Sequence, residues 1–164
     1  MNIFFTDSDP HKAALSLDDK RVVKMVLETC QMLSTAINQH GGKAPYKTSH
    51  LNHPSNLWCR ETRANWTWLW LHGKALSEEY TFRYGKVHKC DAVLKQLLEM
   101  RLNVPEGPLT AFANCAAHQG KGFNFKSILP VTDAYRLYLN ARWATDARPP
   151  QWTGRKAPDW SNYA

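Results

Sequence analysis

The sequence lacks several things, and each absence narrows the reading. No apolar run approaches the roughly 18 residues of a membrane span, so no membrane-spanning segment is expected. Met1 to Pro10 carries acids and no Lys or Arg, so the start does not read as a signal peptide. Cysteine is sparse: Cys30, Cys59, Cys90 and Cys115, no two within four residues of each other. That excludes the paired spacing of a structural zinc site, and the four read as buried free thiols of a reducing compartment. Gly120-Lys121-Gly122 lacks the spacing of a phosphate-cradling or dinucleotide-binding loop, and no serine-hydrolase signature occurs. There is no internal repeat and no low-complexity stretch. The expectation is a monomer in the cytoplasm, with no cofactor and no metal.

Acid is the scarcer charge. Asp and Glu number 14 against 21 Lys and Arg, so the net charge is +7. Seven Trp and seven His accompany that excess. Cations with flat rings point to a nucleic-acid partner. Each Trp can equally be core. The chain's 164 residues, 43% of them hydrophobic, suffice for one domain that buries about 70% of its unfolded surface.

Patterning predicts a mainly α protein with at most one short strand near the start. Met1 to Phe5 is that strand or an extended segment packed on the core. Asp7 to Pro10 supplies a cap with proline in the first turn, which predicts a short helix over 10–15. Val22, Val23, Val26, Leu27, Cys30, Leu33 and Ile37 recur at helical spacing over Leu17–Asn38. The opposite face carries Lys20, Lys24, Glu28, Gln31 and Thr35 within roughly 80° on a wheel. Residues 38–57 form a loop with His40, Lys43, Lys47, His50 and His53 and no acid. A long helical stretch from Pro54 to Tyr84, bent near Thr62–Asn65, is apolar on two sides and therefore central. Further helices are expected over Val87–Leu102 and Val131–Thr145. Between them lies a Gly-punctuated segment, 107–130, with His118, Lys121, Lys126 and no acid. The division is a helical domain over 1–146 and an extended tail, 147–164, with its prolines and tryptophans, packed on it.

Three groups could carry chemistry. Glu28 stands four residues after Lys24 and eight after Lys20. It is either half of a solvated ion pair or a carboxylate that stabilises a cationic transition state. His50-Leu-Asn-His-Pro-Ser-Asn-Leu-Trp58 precedes a helix N-terminus, where anions bind. His50, Asn52 and His53 are phosphate or base contacts, or capping residues, and no third ligand supports a metal. Glu61, Asn65, His72, Glu79 and Arg83 form a polar seam on the central helix. It is either a satisfied network that orders the core or a pocket floor with His72 or Glu79 as acid or base.

Leu17-Asp18, Val22-Val23, Glu28 and Gln31 resemble the first long helix of the small pyrimidine-dimer DNA glycosylases of the endonuclease V type. Tyr46-Lys47 and Asn52-His53-Pro54 resemble that family's Tyr-Lys-Asn-His-Pro segment, with Thr48 to Leu51 inserted. Glu78-Glu79-Tyr80 and Arg83-Tyr84-Gly85 resemble its Glu-Glu-Ala and Arg-Gly-Tyr stretch. The likeness covers roughly residues 1–90. The sequence resembles more closely a group of phage proteins that open Met-Asn-Ile-Phe and bear Asn-His-Pro-Ser-x-x-Trp, to which we attach no activity.

The glycosylase resemblance implies a compact helical enzyme that flips a base and needs no metal. It implies an N-terminal α-amine as nucleophile and a glutamate as its electrostatic partner. Glu28 matches that glutamate. Asn2 is large, so Met1 is expected to stay, and its amine takes the nucleophile's place where the relatives uncover a small residue. Lys20, Lys24, His50, Asn52, His53, Arg83 and Tyr84 are the expected DNA or base contacts. The leading expectation is a phage-type DNA glycosylase for damaged or modified pyrimidines, with or without a lyase step. The rivals are a non-enzymatic DNA-binding or host-takeover protein and a pyrimidine-modifying enzyme on the same scaffold.

Overall fold

The computed structural model describes all 164 residues. It holds six α-helices: α1 (Pro10–Leu15), α2 (Asp19–Gln39), α3 (Pro54–Glu61), α4 (Arg63–Tyr84), α5 (Asp91–Glu99) and α6 (Val131–Thr145). The strands β1 (Ala117–His118) and β2 (Phe123–Asn124) pair antiparallel, Ala117 with Asn124 and His118 with Phe123. The mainly α expectation holds. No helix is long and apolar enough to cross a membrane.

The helices begin and end where local chemistry directs. Asp9 accepts from the amides of His11 and Lys12, and Pro10 opens α1. In α2, Val22, Val26, Cys30, Leu33 and Ile37 are fully buried, whereas Val23 and Leu27 lie at the exposed edge of the apolar stripe. The bend expected near Thr62 is a break. Thr62 is extended, its hydroxyl accepts from the Asn65 amide, and the same hydroxyl donates to the Pro108 carbonyl at 2.8 Å. The central helix α4 buries Trp66, Leu69 and Leu76 together with Trp68 and Ala75. It packs against α1 and α2. At Gly73 a Cβ would stand 2.7 Å from Thr29 Cγ2, so the close approach of α4 to α2 needs glycine there.

Two boundaries differ from expectation. α5 starts at Asp91, not Val87, because His88 is committed to the preceding turn. Its Nδ1 accepts from the Cys90 amide and its Nε2 donates to the Val23 carbonyl. The opening five residues form no strand. They run extended into the core, where Phe5 is fully buried and stacks on Phe112 at 4.3 Å.

The tryptophans serve the fold. Trp58, Trp66, Trp68 and Trp143 are buried. The indole N–H groups of Trp66, Trp68, Trp70 and Trp152 donate to backbone carbonyls, and that of Trp143 to Asp18. The tail 147–164 lies against the helices. Trp152 and Trp160 flank Trp143 with ring centroids 5.1 and 5.7 Å away. Cys30, Cys59 and Cys90 are buried, Cys115 is half-buried, and all four are free thiols.

Candidate active site

The start of the chain is held from several sides. Asn56 donates to Met1 Sδ at 3.1 Å and to the carbonyls of Ser49 and His50. Asn2 Oδ1 accepts from the Tyr135 hydroxyl at 2.8 Å, and that hydroxyl accepts from the Cys115 amide. With Ile3 and Phe5 buried behind it, the terminal amine has a fixed place.

That place is beside Glu28. The Met1 nitrogen stands 3.4 Å from Glu28 Oε1, and Lys24 Nζ stands 3.5 Å from Oε2. The carboxylate is 14% exposed. Its Oε2 is buried without a hydrogen-bond partner, and Lys24 at 3.5 Å meets it only as an ion pair. Such an atom is left to be satisfied by water or a ligand.

These groups line a cleft of about 350 Å³. α2 contributes Lys20, Arg21, Lys24, Met25 and Glu28, all on one side of the helix. Met1, Asn2 and Phe4 come from the start of the chain and His53 from the cap of α3. The remaining wall is Cys115, Ala117 and His118 around β1, with Tyr138 and Arg142 of α6. Glu28 is the sole carboxylate among four Lys and Arg side chains in this lining. Arg21 is already tied to Asp18 at 3.0 Å and Asp146 at 3.1 Å, whereas Lys24 is largely exposed. An amine and a carboxylate in contact within a cationic cleft can act as a nucleophile and an electrostatic partner toward an anionic substrate.

His53 is held neutral. Burial pushes its pKa down, and the positive charges of the Met1 amine, His50 and Lys126 add to that. Its Nδ1 accepts from the Ser55 amide at 3.1 Å, which leaves the proton on Nε2. His53 is thus both the cap of α3 and a neutral donor in the cleft.

The structure separates the other expected site residues from this cleft. His50 and Asn52 are exposed on the loop before α3. The seam does not supply a pocket floor. His72 is 2% exposed, stacks on Trp68 and donates from Nδ1 to the Pro10 carbonyl at 3.0 Å. Burial lowers its pKa to about 4, so it is neutral and has no route to a substrate. Glu79 accepts from Arg83 Nε at 2.9 Å and from Arg155 at 2.9 and 3.0 Å. Burial by itself would raise its pKa, but the bonds from Arg155 and Arg83 hold it below the usual carboxylate range. Arg83, expected at DNA, has a fully buried side chain that also binds Asp19 at 2.9 Å and the Leu15 carbonyl. It cannot meet a phosphate without leaving three partners. Tyr84, next to it, is part-exposed and packs on Tyr80.

Sequence reasoning missed Arg21, Cys115, Tyr138 and Arg142 as cleft residues. It noted His118 only as part of an acid-free segment. Arg21 stands two turns before Glu28 on the same side of α2, a spacing that could have found it. No spacing links the others to Glu28, since they come from α6 and the segment around β1, about a hundred residues downstream. No group of three or more His, Cys, Asp or Glu side chains converges to hold a metal ion.

A family model described as pyrimidine dimer DNA glycosylase matches residues 1–92. The match takes in Met1, Glu28 and His53 and ends before β1 and α6. Among curated proteins and among solved structures, nothing matches.

Proposed function

Since the chain belongs to the family of pyrimidine dimer DNA glycosylases, we propose that it cleaves the N-glycosidic bond of damaged or modified pyrimidines in DNA, with the Met1 α-amine as nucleophile and Glu28 as its electrostatic partner. The observation that carries this reading is the 3.4 Å approach of the Met1 nitrogen to Glu28 Oε1 within one cationic cleft.

The unprotonated amine attacks C1′ of a nucleotide swung out of the stack. The N–C1′ bond forms, the C1′–base bond breaks, and the base leaves with the electron pair. Glu28 stabilises the positive charge that grows on the sugar. The sugar ring then opens to an iminium, and water releases the abasic site or β-elimination cuts the strand. Extruding a base costs a few kcal/mol. Phosphate contacts to the exposed Lys20 and Lys24 offset that cost, and the loop bearing His50 and Asn52 adds to them.

Incubation with abasic-site DNA and borohydride should trap a covalent adduct, and mass spectrometry should place it on Met1. Residues added before Met1 should prevent it. An adduct on Lys20 or Lys24 would move the nucleophile, and no adduct with tight DNA binding would leave a binding protein. Affinity for a duplex should fall about tenfold or more between 50 and 200 mM salt, as expected when a few phosphates are neutralised.

A further inference from the structure

We infer that His118 is the acid that protonates the departing pyrimidine, an assignment that rests on the glycosylase reading above. It lies outside residues 1–92, so the family match says nothing about it.

The first observation is that His118 is the exception among the histidines that are not exposed. His40, His53, His72 and His88 are buried or half-buried, and each hydrogen-bonds a backbone group. His118 is also half-buried, yet its Nδ1 is buried with no partner. A buried polar atom without a partner is destabilising unless water or a ligand satisfies it.

The second is that the ring is held in the cleft. His118 pairs with Phe123 across the two-residue ladder, and the Phe125 amide donates to the Ala116 carbonyl at 2.8 Å. Lys121 Nζ ties the hairpin to the Thr145 carbonyl at the end of α6, and Phe123 packs edge-on against Tyr138. The turn at Gly120 closes on the Nδ1 side, where an added Cβ would stand 3.4 Å from Cε1 and 3.6 Å from Nδ1. The ring therefore enters the cleft from the wall formed by β1 and α6, while the amine and Glu28 come from the N-terminus and α2.

The third is that three of the cleft's four Lys and Arg side chains, Arg21, Lys24 and Arg142, pair with carboxylates. Arg21 is bound by two carboxylates and Lys24 pairs with Glu28. His53 is held neutral with Nδ1 in the helix cap. Lys20 is exposed. Of the two imidazoles in this lining, His118 is the one whose ring caps no helix, and its Nδ1 has no hydrogen-bond partner. As the C1′–base bond breaks, the electron pair passes to the base and the imidazolium proton of His118 passes to that base. The neutral imidazole is reprotonated from water.

The test separates bond cleavage from sugar capture. His118→Ala and His118→Gln should cut the rate of glycosidic cleavage in a pyrimidine-dimer duplex by about 100-fold or more, the usual worth of a positioned acid. Both should trap preformed abasic-site DNA within about twofold of the unaltered protein, because no base departs there. Added imidazole should restore cleavage at least tenfold in His118→Ala and not in the unaltered protein. Cleavage within threefold of normal, a parallel loss in both assays, or no rescue by imidazole overturns the assignment. If the unaltered protein neither traps abasic DNA nor cleaves the dimer duplex, the glycosylase reading itself falls and takes the assignment with it.

Discussion

Glu28 and Glu79 are both carboxylates on long helices with a cation four residues away, and the structure treats them in opposite ways. At Glu79 both oxygens are occupied by Arg83 and Arg155, and Arg83 goes on to Asp19. At Glu28 one oxygen meets the Met1 amine, the other has no hydrogen bond, and the cation at i−4 is largely exposed. A saturated network orders the fold and offers nothing to a substrate. An unsaturated one, open to a cleft, keeps capacity for a ligand. The two sites therefore predict different losses when cut.

The largest effect is expected at the open site. Glu28→Gln should lower glycosidic cleavage about 1,000-fold, or about 4 kcal/mol of barrier, while melting shifts little. Base release measured beside thermal melting checks this, and a fully active variant removes Glu28 from the mechanism. Glu79→Ala should do the reverse. It leaves Arg83 and Arg155 without their carboxylate and should cost about 3 kcal/mol in urea unfolding, at the low end for a broken buried pair because Asp19 still holds Arg83. Abasic-DNA trapping per folded molecule should stay unchanged.

His72 sharpens the comparison through pH. Its folded pKa, about 4, lies below its unfolded value of 6.5. Between those values the unfolded chain binds the extra proton, so stability is full above pH 6.5 and falls as pH drops toward 4. The loss should amount to about 3 kcal/mol. Unfolding free energies across that range should show it, and His72→Gln should flatten the slope. A pH-independent curve for the unaltered protein would mean that the ring accepts a proton in place. The smallest effect is expected at Lys24→Ala. Removing an exposed partner should change stability by a few tenths of a kcal/mol, and DNA affinity should lose one phosphate's share of its salt slope.

Helix spacing made most of the fold legible. The apolar repeat from Val22 to Ile37, the Asp9-Pro10 cap and the two-sided Pro54–Tyr84 stretch each specify a local structure without help from distant residues. The 117–124 hairpin was not legible, because four paired residues leave no periodic signal and the ladder depends on α6 beneath it. The start of α5 was misplaced for a related reason: His88 is drawn off by a carbonyl of α2. For the cleft, Met1, Glu28, Lys20, Lys24 and His53 were identifiable by residue type and resemblance. His72, Glu79 and Arg83 carried an equally polar signal and turned out to be packed inside.

The sequence by itself determined a basic, mainly helical chain, with its long helices and the glutamate of α2 at family spacing, because those depend on neighbours within a few residues. Only the tertiary structure decided which polar groups are satisfied. It folded the N-terminus back onto Glu28, brought the tail's Arg155 to Glu79, and carried His118 from far along the chain to the cleft. Hydrogen-bond saturation is a property of contacts between distant segments, and spacing along one helix does not encode it.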